Sequence, residues 1–153
     1  MLRLRQADYD AICRHAEDAY PEECCGILLG RAKEQSRDVE AVIRCRNAHP
    51  SPKTRYEIDP VEAIRAQREA RERGLEIVGF YHSHPDHPAQ WSPTDFAEAH
   101  WIGCSYVITS IEKGKAAITN SFLLTGTTEE DKKFLDQSIE IEVATSTQPK
   151  GQA

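Results

Sequence analysis

Apolar side chains recur along residues 6–19 at Tyr9, Ile12, Cys13, Ala16 and Ala19, the spacing of one helix face, and Pro21 predicts where that helix ends. The run Cys24-Cys25-Gly26-Ile27-Leu28-Leu29-Gly30 is short, apolar and glycine-bounded, which predicts a buried strand. A polar turn spans Arg31–Arg37. Beyond it Val39, Ala41, Ile43 and Cys45 alternate with polar residues and predict a second strand. Asn47–Pro52 is a loop by its prolines and polar content, and Arg55–Ile58 is a short extended piece. A helix follows, with Asp59 as N-cap, Pro60 in the first helical position, Glu62 completing a capping box and Gly74 stopping it after about Arg73.

Residues 75–81, Leu-Glu-Ile-Val-Gly-Phe-Tyr, carry the clearest strand pattern and deliver His82 at its end. A second capped helix starts at Ser92-Pro93, and Ser105–Ser110 and Lys115–Thr125 read as strands. Glu129–Gln137 is expected to be helical, and Ile139, Ile141 and Val143 alternate like a last edge strand. Thr145–Ala153 has no large apolar residue and reads as a disordered tail. With no repeat or linker, the expectation is one α/β domain over residues 1–144, a mixed, mostly antiparallel sheet flanked by helices.

Composition narrows the function classes. The 153 residues suit a single domain, and 39% hydrophobic and 29% charged content is that of a soluble globular protein. A formal net charge of -6 gives no footprint for nucleic acid. No apolar run approaches the ~20 residues of a membrane helix, and Met1–Arg5 has no signal-peptide core behind its charges. Five cysteines, Cys13, Cys24, Cys25, Cys45 and Cys104, are an odd number without framework spacing, so free thiols in a reducing cytoplasm are expected. None forms a C-x-x-C pair, which excludes a zinc ribbon.

The chemistry concentrates in residues 82–95. On a strand, residues two apart point to the same side, so His82 and His84 present two imidazoles to one point. Pro85 ends the strand, the loop to Trp91 is long enough to turn back, and Asp95 in a first helical turn can close a third corner. Two imidazoles and one carboxylate with a fourth position open is a catalytic zinc arrangement, although Fe(II), Co(II) and Mn(II) accept the same donors. Ser92-Pro93-Thr94-Asp95 is also a capping box, which alone would account for both end residues. The joint spacing on a buried strand feeding a loop favours the metal.

His82-x-His84-Pro85 followed by Ser92-x-x-Asp95 resembles the signature of the JAMM/MPN+ metallopeptidases, family M67. Pro21-Glu22-Glu23-Cys24-Cys25-Gly26 is similar to the family's upstream glutamate segment, P-x-E-x-C-G, and aligns Glu23 rather than Glu22. Arg55–Pro60 resembles the extended segment that enters the family's second helix, so the likeness runs from the first helix to about Val143. It implies an MPN/JAB, cytidine-deaminase-like fold and one Zn2+ per chain, held by His82, His84 and Asp95. It also implies Glu23 as general base and acid, and Ser92 as an oxyanion donor.

Other residues have plainer readings. Glu22 replaces Glu23 as base if the strand register differs by one and otherwise belongs to an exposed turn, His87 to a loop, and His15, His49 and His100 to ordinary helix or loop positions. Cys24 and Cys25 read as inert core thiols, although a nucleophilic thiol beside the base is the sharper alternative. Ser83 faces away from the histidines, and Trp91 either lines the cleft or caps the core. The short chain resembles the small standalone prokaryotic members, which implies peptide or isopeptide hydrolysis after the C-terminal Gly-Gly of a ubiquitin-like sulfur-carrier protein. The rival is a catalytically silent MPN-type scaffold. A zinc deaminase would need H-x-E and P-C-x-x-C, and neither occurs.

Overall fold

A computed structural model describes residues 1–143, so the expected tail at 145–153 and the end of the domain at 144 lie outside the described residues. The elements in chain order are β1 (Leu2–Arg5), α1 (Gln6–Ala19), β2 (Cys25–Ala32), β3 (Arg37–Cys45), α2 (Pro60–Glu72), β4 (Glu76–Pro85), α3 (Pro93–Glu98), β5 (Ser105–Glu112), β6 (Lys115–Thr125), β7 (Lys133–Gln137) and β8 (Ile139–Glu142). All eight strands form one sheet in the order β7-β6-β5-β4-β2-β3-β1-β8. Four of its seven pairings are antiparallel. The β4–β5, β1–β3 and β1–β8 pairings are parallel.

β2 and β4 lie at the centre, which is why their sequences read as apolar runs rather than alternations. α1 covers one face: its Ile12 and Ala16 pack with Leu28, Val78, Tyr81 and Val107. α2 covers the other, with Ala66 and Ala70 against Ile27, Leu29 and Phe80. Two helices of modest amphipathicity are thus buried by the sheet between them.

The margins of the sheet meet. Ser138 alone separates β7 from β8, yet these strands occupy opposite ends of the sheet order. The Ser138 carbonyl accepts from Leu2 N at 2.8 Å, and Gln137 Oε1 accepts from the hydroxyls of Ser105 and Ser121, each at 2.7 Å. The sheet curls until its two end strands follow one another in the chain, joined through Ser138.

Three expectations are corrected. Glu129–Gln137 is not a helix: Asp131 accepts from the amides of Thr127 and Thr128 in a turn, and Lys133–Gln137 pairs with the outer edge of β6. Asp59 caps α2 by accepting from Val61 N, but Glu62 makes no capping box, because its carboxylate accepts from Arg46 N at 2.6 Å. Leu2–Arg5, read only as lacking a signal core, is a strand wedged between β3 and β8.

Candidate metal centre

Strand alternation places the site. Phe80 belongs to the α2-side core and Tyr81 to the α1-side core, so His82 and His84 follow Phe80 and point to the α2 side. His82 is flanked in register by Cys25 on β2 and Ile108 on β5 and is 2% exposed. Ser83 points the other way, where its Oγ accepts from Cys24 N at 2.8 Å and ties the start of β2 to β4. The fixed backbone on both sides of His82 makes this end of β4 a rigid platform.

Asp95 arrives from α3, and its two proposed roles coexist. Ser92 Oγ accepts from Asp95 N at 3.0 Å, and Asp95 Oδ2 accepts from Ser92 N at 2.9 Å, a complete capping box. The same carboxylate meets the histidines: Oδ2 lies 3.1 Å from His84 Nε2 and Oδ1 lies 3.4 Å from His82 Nε2. The two imidazole Nε2 atoms are 3.1 Å apart. The cap orients the carboxylate that closes the cluster.

These separations suit one ion. Zinc bonds of about 2.0–2.2 Å at tetrahedral angles put ligand atoms about 3.3 Å apart. Tautomer chemistry points the same way. His84 Nδ1 lies 2.8 Å from the Pro88 carbonyl, which can only accept, so the proton sits on Nδ1. A neutral His84 therefore turns the lone pair of Nε2 towards the Asp95 carboxylate and the His82 ring. Such converging lone pairs repel unless a cation or a proton lies between them. A backbone carbonyl holding the far nitrogen is also the usual support of a metal-ligating histidine. The cluster of His82, His84 and Asp95 fits a divalent metal site.

Titration directions agree with the geometry. Burial lowers the pKa of His82. Burial also works against charge on His84, but the hydrogen bond with Asp95 and the one to Pro88 outweigh it and raise its pKa. For Asp95 burial opposes ionisation, yet the bonds with His82 and His84 hold its carboxyl well below the usual range.

Glu23, not Glu22, reaches this cluster. Glu22 is exposed, while Glu23 is buried and lines a cleft of about 390 Å³ with Thr54, His84, Trp91, Ser92 and Asp95. Loss of water pushes its pKa up to about 8; His84 pulls it down and Asp95 raises it further. His87 lines the same cleft without joining the three-ligand cluster. Burial pushes the Cys24 thiol up to about 12 and the Cys25 thiol up too, which removes the nucleophilic-thiol reading. His15 is bonded to the Tyr81 hydroxyl, His49 accepts from Ser51 N, and His100 pairs with Glu129. Trp91 does both things expected of it, lining the cleft and packing on Phe96 and Phe134.

Two contributors had no signal in their own positions. Tyr56 stacks on His82 with ring centroids 4.2 Å apart and 20° between planes. Pro88 supports His84 only through its carbonyl, which any residue could supply.

Comparison with known proteins agrees with this arrangement. Residues 5–124 match the family described as prokaryotic homologs of the JAB domain. A desampylase of Haloferax volcanii is 36% identical over 113 residues, 71% of this chain and 80% of that one. A probable TtuB-protein conjugate cleaving protease of Thermus thermophilus is 43% identical over 81 residues, 53% of this chain, and the match spans only 51% of that protein's length. A solution structure from Desulfitobacterium hafniense superposes with a TM-score of 0.80 at 32% identity, covering 94% of each chain. With its fold, its His82–His84–Asp95 cluster and a match over most of its length, the chain belongs to the prokaryotic JAB family.

Proposed function

We propose that the protein is a zinc-dependent peptidase that cleaves the peptide or isopeptide bond after the C-terminal Gly-Gly of a ubiquitin-like sulfur-carrier protein. The observation that carries this reading is the convergence of three lone-pair donors at zinc-ligand separations beside a buried, uncommitted carboxyl group. Relatives named for cleaving TtuB conjugates, for desampylation and as CysO-cysteine peptidases support the substrate class.

His82, His84 and Asp95 would hold the ion, and Glu23 faces it without belonging to the ligand set. A zinc ion so held lowers the pKa of a water from 15.7 towards about 7 and polarises a carbonyl. Glu23 takes the proton from the attacking water and returns it to the leaving amine. Ser92 Oγ already accepts from Asp95 N, so its own hydroxyl proton is free to donate to the oxygen of the scissile carbonyl. The cleft, lined also by Thr54, Gln90 and Trp91, suits an extended tail ending in residues without side chains.

The test is metal content of purified protein by plasma mass spectrometry, with cleavage of a ubiquitin-like carrier fused through Gly-Gly to a reporter. About one zinc per chain, lost together with cleavage in His84→Ala, is the expected result. A protein that takes up no metal when zinc is offered is a scaffold of this fold. A zinc-loaded protein that ignores the carrier but cuts unrelated peptides refutes the substrate.

A further inference from the structure

Glu23 is poorly supported by its own strand. β2 begins at Cys25, so the ladder with β3 and β4 starts two residues beyond the carboxyl group assigned as base. Both backbone polar groups of Glu23 are satisfied instead by the segment between β3 and α2. Its N–H donates to the Pro52 carbonyl at 2.8 Å, and its carbonyl accepts from Asn47 Nδ2 at 3.0 Å.

That segment is itself gathered around one side chain. Asn47 Nδ2 also donates to the Arg55 carbonyl at 2.9 Å and, more weakly, to the Pro52 carbonyl at 3.4 Å. Asn47 Oδ1 accepts from His49 N at 3.0 Å and from Glu57 N at 3.1 Å. A carboxamide has two donor hydrogens and two acceptor lone pairs, and all are in use. The segment so folded carries Tyr56, whose ring lies on His82, and Thr54, which lines the cleft.

We infer that Asn47 is the positioning residue for Glu23: it fixes the 47–58 loop and, through that loop, the backbone that aims the Glu23 carboxyl group at the metal centre. The inference rests on Glu23 as the base. Asn47 itself is absent from the cleft lining and the metal ligands come from β4 and α3, so zinc content separates a misplaced Glu23 from a disturbed Tyr56–His82 stack. Asn47→Asp is nearly isosteric and keeps the acceptor that serves His49 and Glu57, but it turns an oxygen towards the carbonyls of Glu23 and Arg55. A misplacement of a catalytic group by about 1 Å costs on the order of 100-fold in rate.

A double-mutant cycle tests this on the zinc-loaded protein, with a Gly-Gly-linked carrier fusion as substrate and enzyme in excess. N47D is expected to lower kcat about 10- to 100-fold with little change in KM or zinc content. In the E23Q background the same substitution is expected to cost less than about threefold, because a base that is absent cannot be misplaced. An equal loss in both backgrounds overturns the inference, since Asn47 then acts on something other than Glu23. N47D at full rate beside an impaired E23Q overturns it alone and leaves the base assignment standing. E23Q at full rate removes the base assignment and the inference together. Asn47→Ser, which lacks the reach but brings no charge, carries the same expectations if N47D does not fold.

Discussion

Glu23 illustrates how one side chain couples stability to chemistry. Its burial raises the carboxyl pKa to about 8 from an ordinary value of 4.5. Between those two values the folded metal-free protein holds a proton that the unfolded chain has released. Its contribution to stability is therefore full below pH 4.5 and is lost as pH rises towards 8. His84 shifts in the same direction and His82 in the opposite one, so the effect of Glu23 is isolated by difference. In chelated protein, E23Q should gain stability over the parent as pH goes from 5 to 8, by on the order of a few kcal/mol at the upper end. Parallel melting curves for the two proteins across that range would show that Glu23 is ionised or solvated in the fold.

At the scale of elements, α3 and β4 each carry a requirement that can be probed separately. Ser92 caps α3, and its free hydroxyl proton is assigned to the scissile carbonyl. Ser92→Ala should cost about 1 kcal/mol of stability as a lost cap and ~100- to 1000-fold in kcat as a lost donor. Ser92→Thr should recover most of both, and a rate loss no larger than the stability loss would reduce Ser92 to a cap. Gly79, three residues before His82, lets β4 and β5 approach: a Cβ there would lie 2.5 Å from the Ser105 carbonyl oxygen. Gly79→Ala should destabilise by about 1–3 kcal/mol through overpacking and weaken zinc retention, measured by melting and by metal content after dialysis. These elements were readable because each sits where local pattern and tertiary demand agree. Gly26–Leu29 of β2 and Ile77–Tyr81 of β4 are apolar because both faces are covered there, and Pro60 and Gly74 bound α2. β7 escaped notice because its conformation is imposed by the open edge of β6, and β1 because four residues, Leu-Arg-Leu-Arg, carry too little alternation to register. The His82/His84 pair was legible from strand periodicity. Its partners Tyr56 and Pro88 were not, since a stacked ring and a backbone carbonyl meet it only through the fold.

The whole molecule is built so that the site depends on the fold more than the fold depends on the site. Core side chains fill both faces of the sheet, around Leu28, Tyr81 and Val107 under α1 and around Ile27, Leu29 and Phe80 under α2, and none of these belongs to the ligand set. The two end strands of the sheet are joined through Ser138. The capping box holds α3 in place, with the Asp95 carboxylate 3.1 Å from His84 Nε2. This is the reverse of a small zinc module, which is unfolded until metal binds. Chelation should therefore abolish cleavage while far-UV circular dichroism and a cooperative melt persist, and added zinc should restore activity without a refolding step. Zinc at 100 times its dissociation constant adds about 2.7 kcal/mol, a rise of roughly 5–10 °C in Tm for a chain of this size. Loss of the cooperative melt on chelation would assign the metal a structural role, because the two cores alone would then be too weak to hold β4 and α3 in register. A melt that neither shifts with zinc nor loses cooperativity would mean that the three converging donors bind no ion.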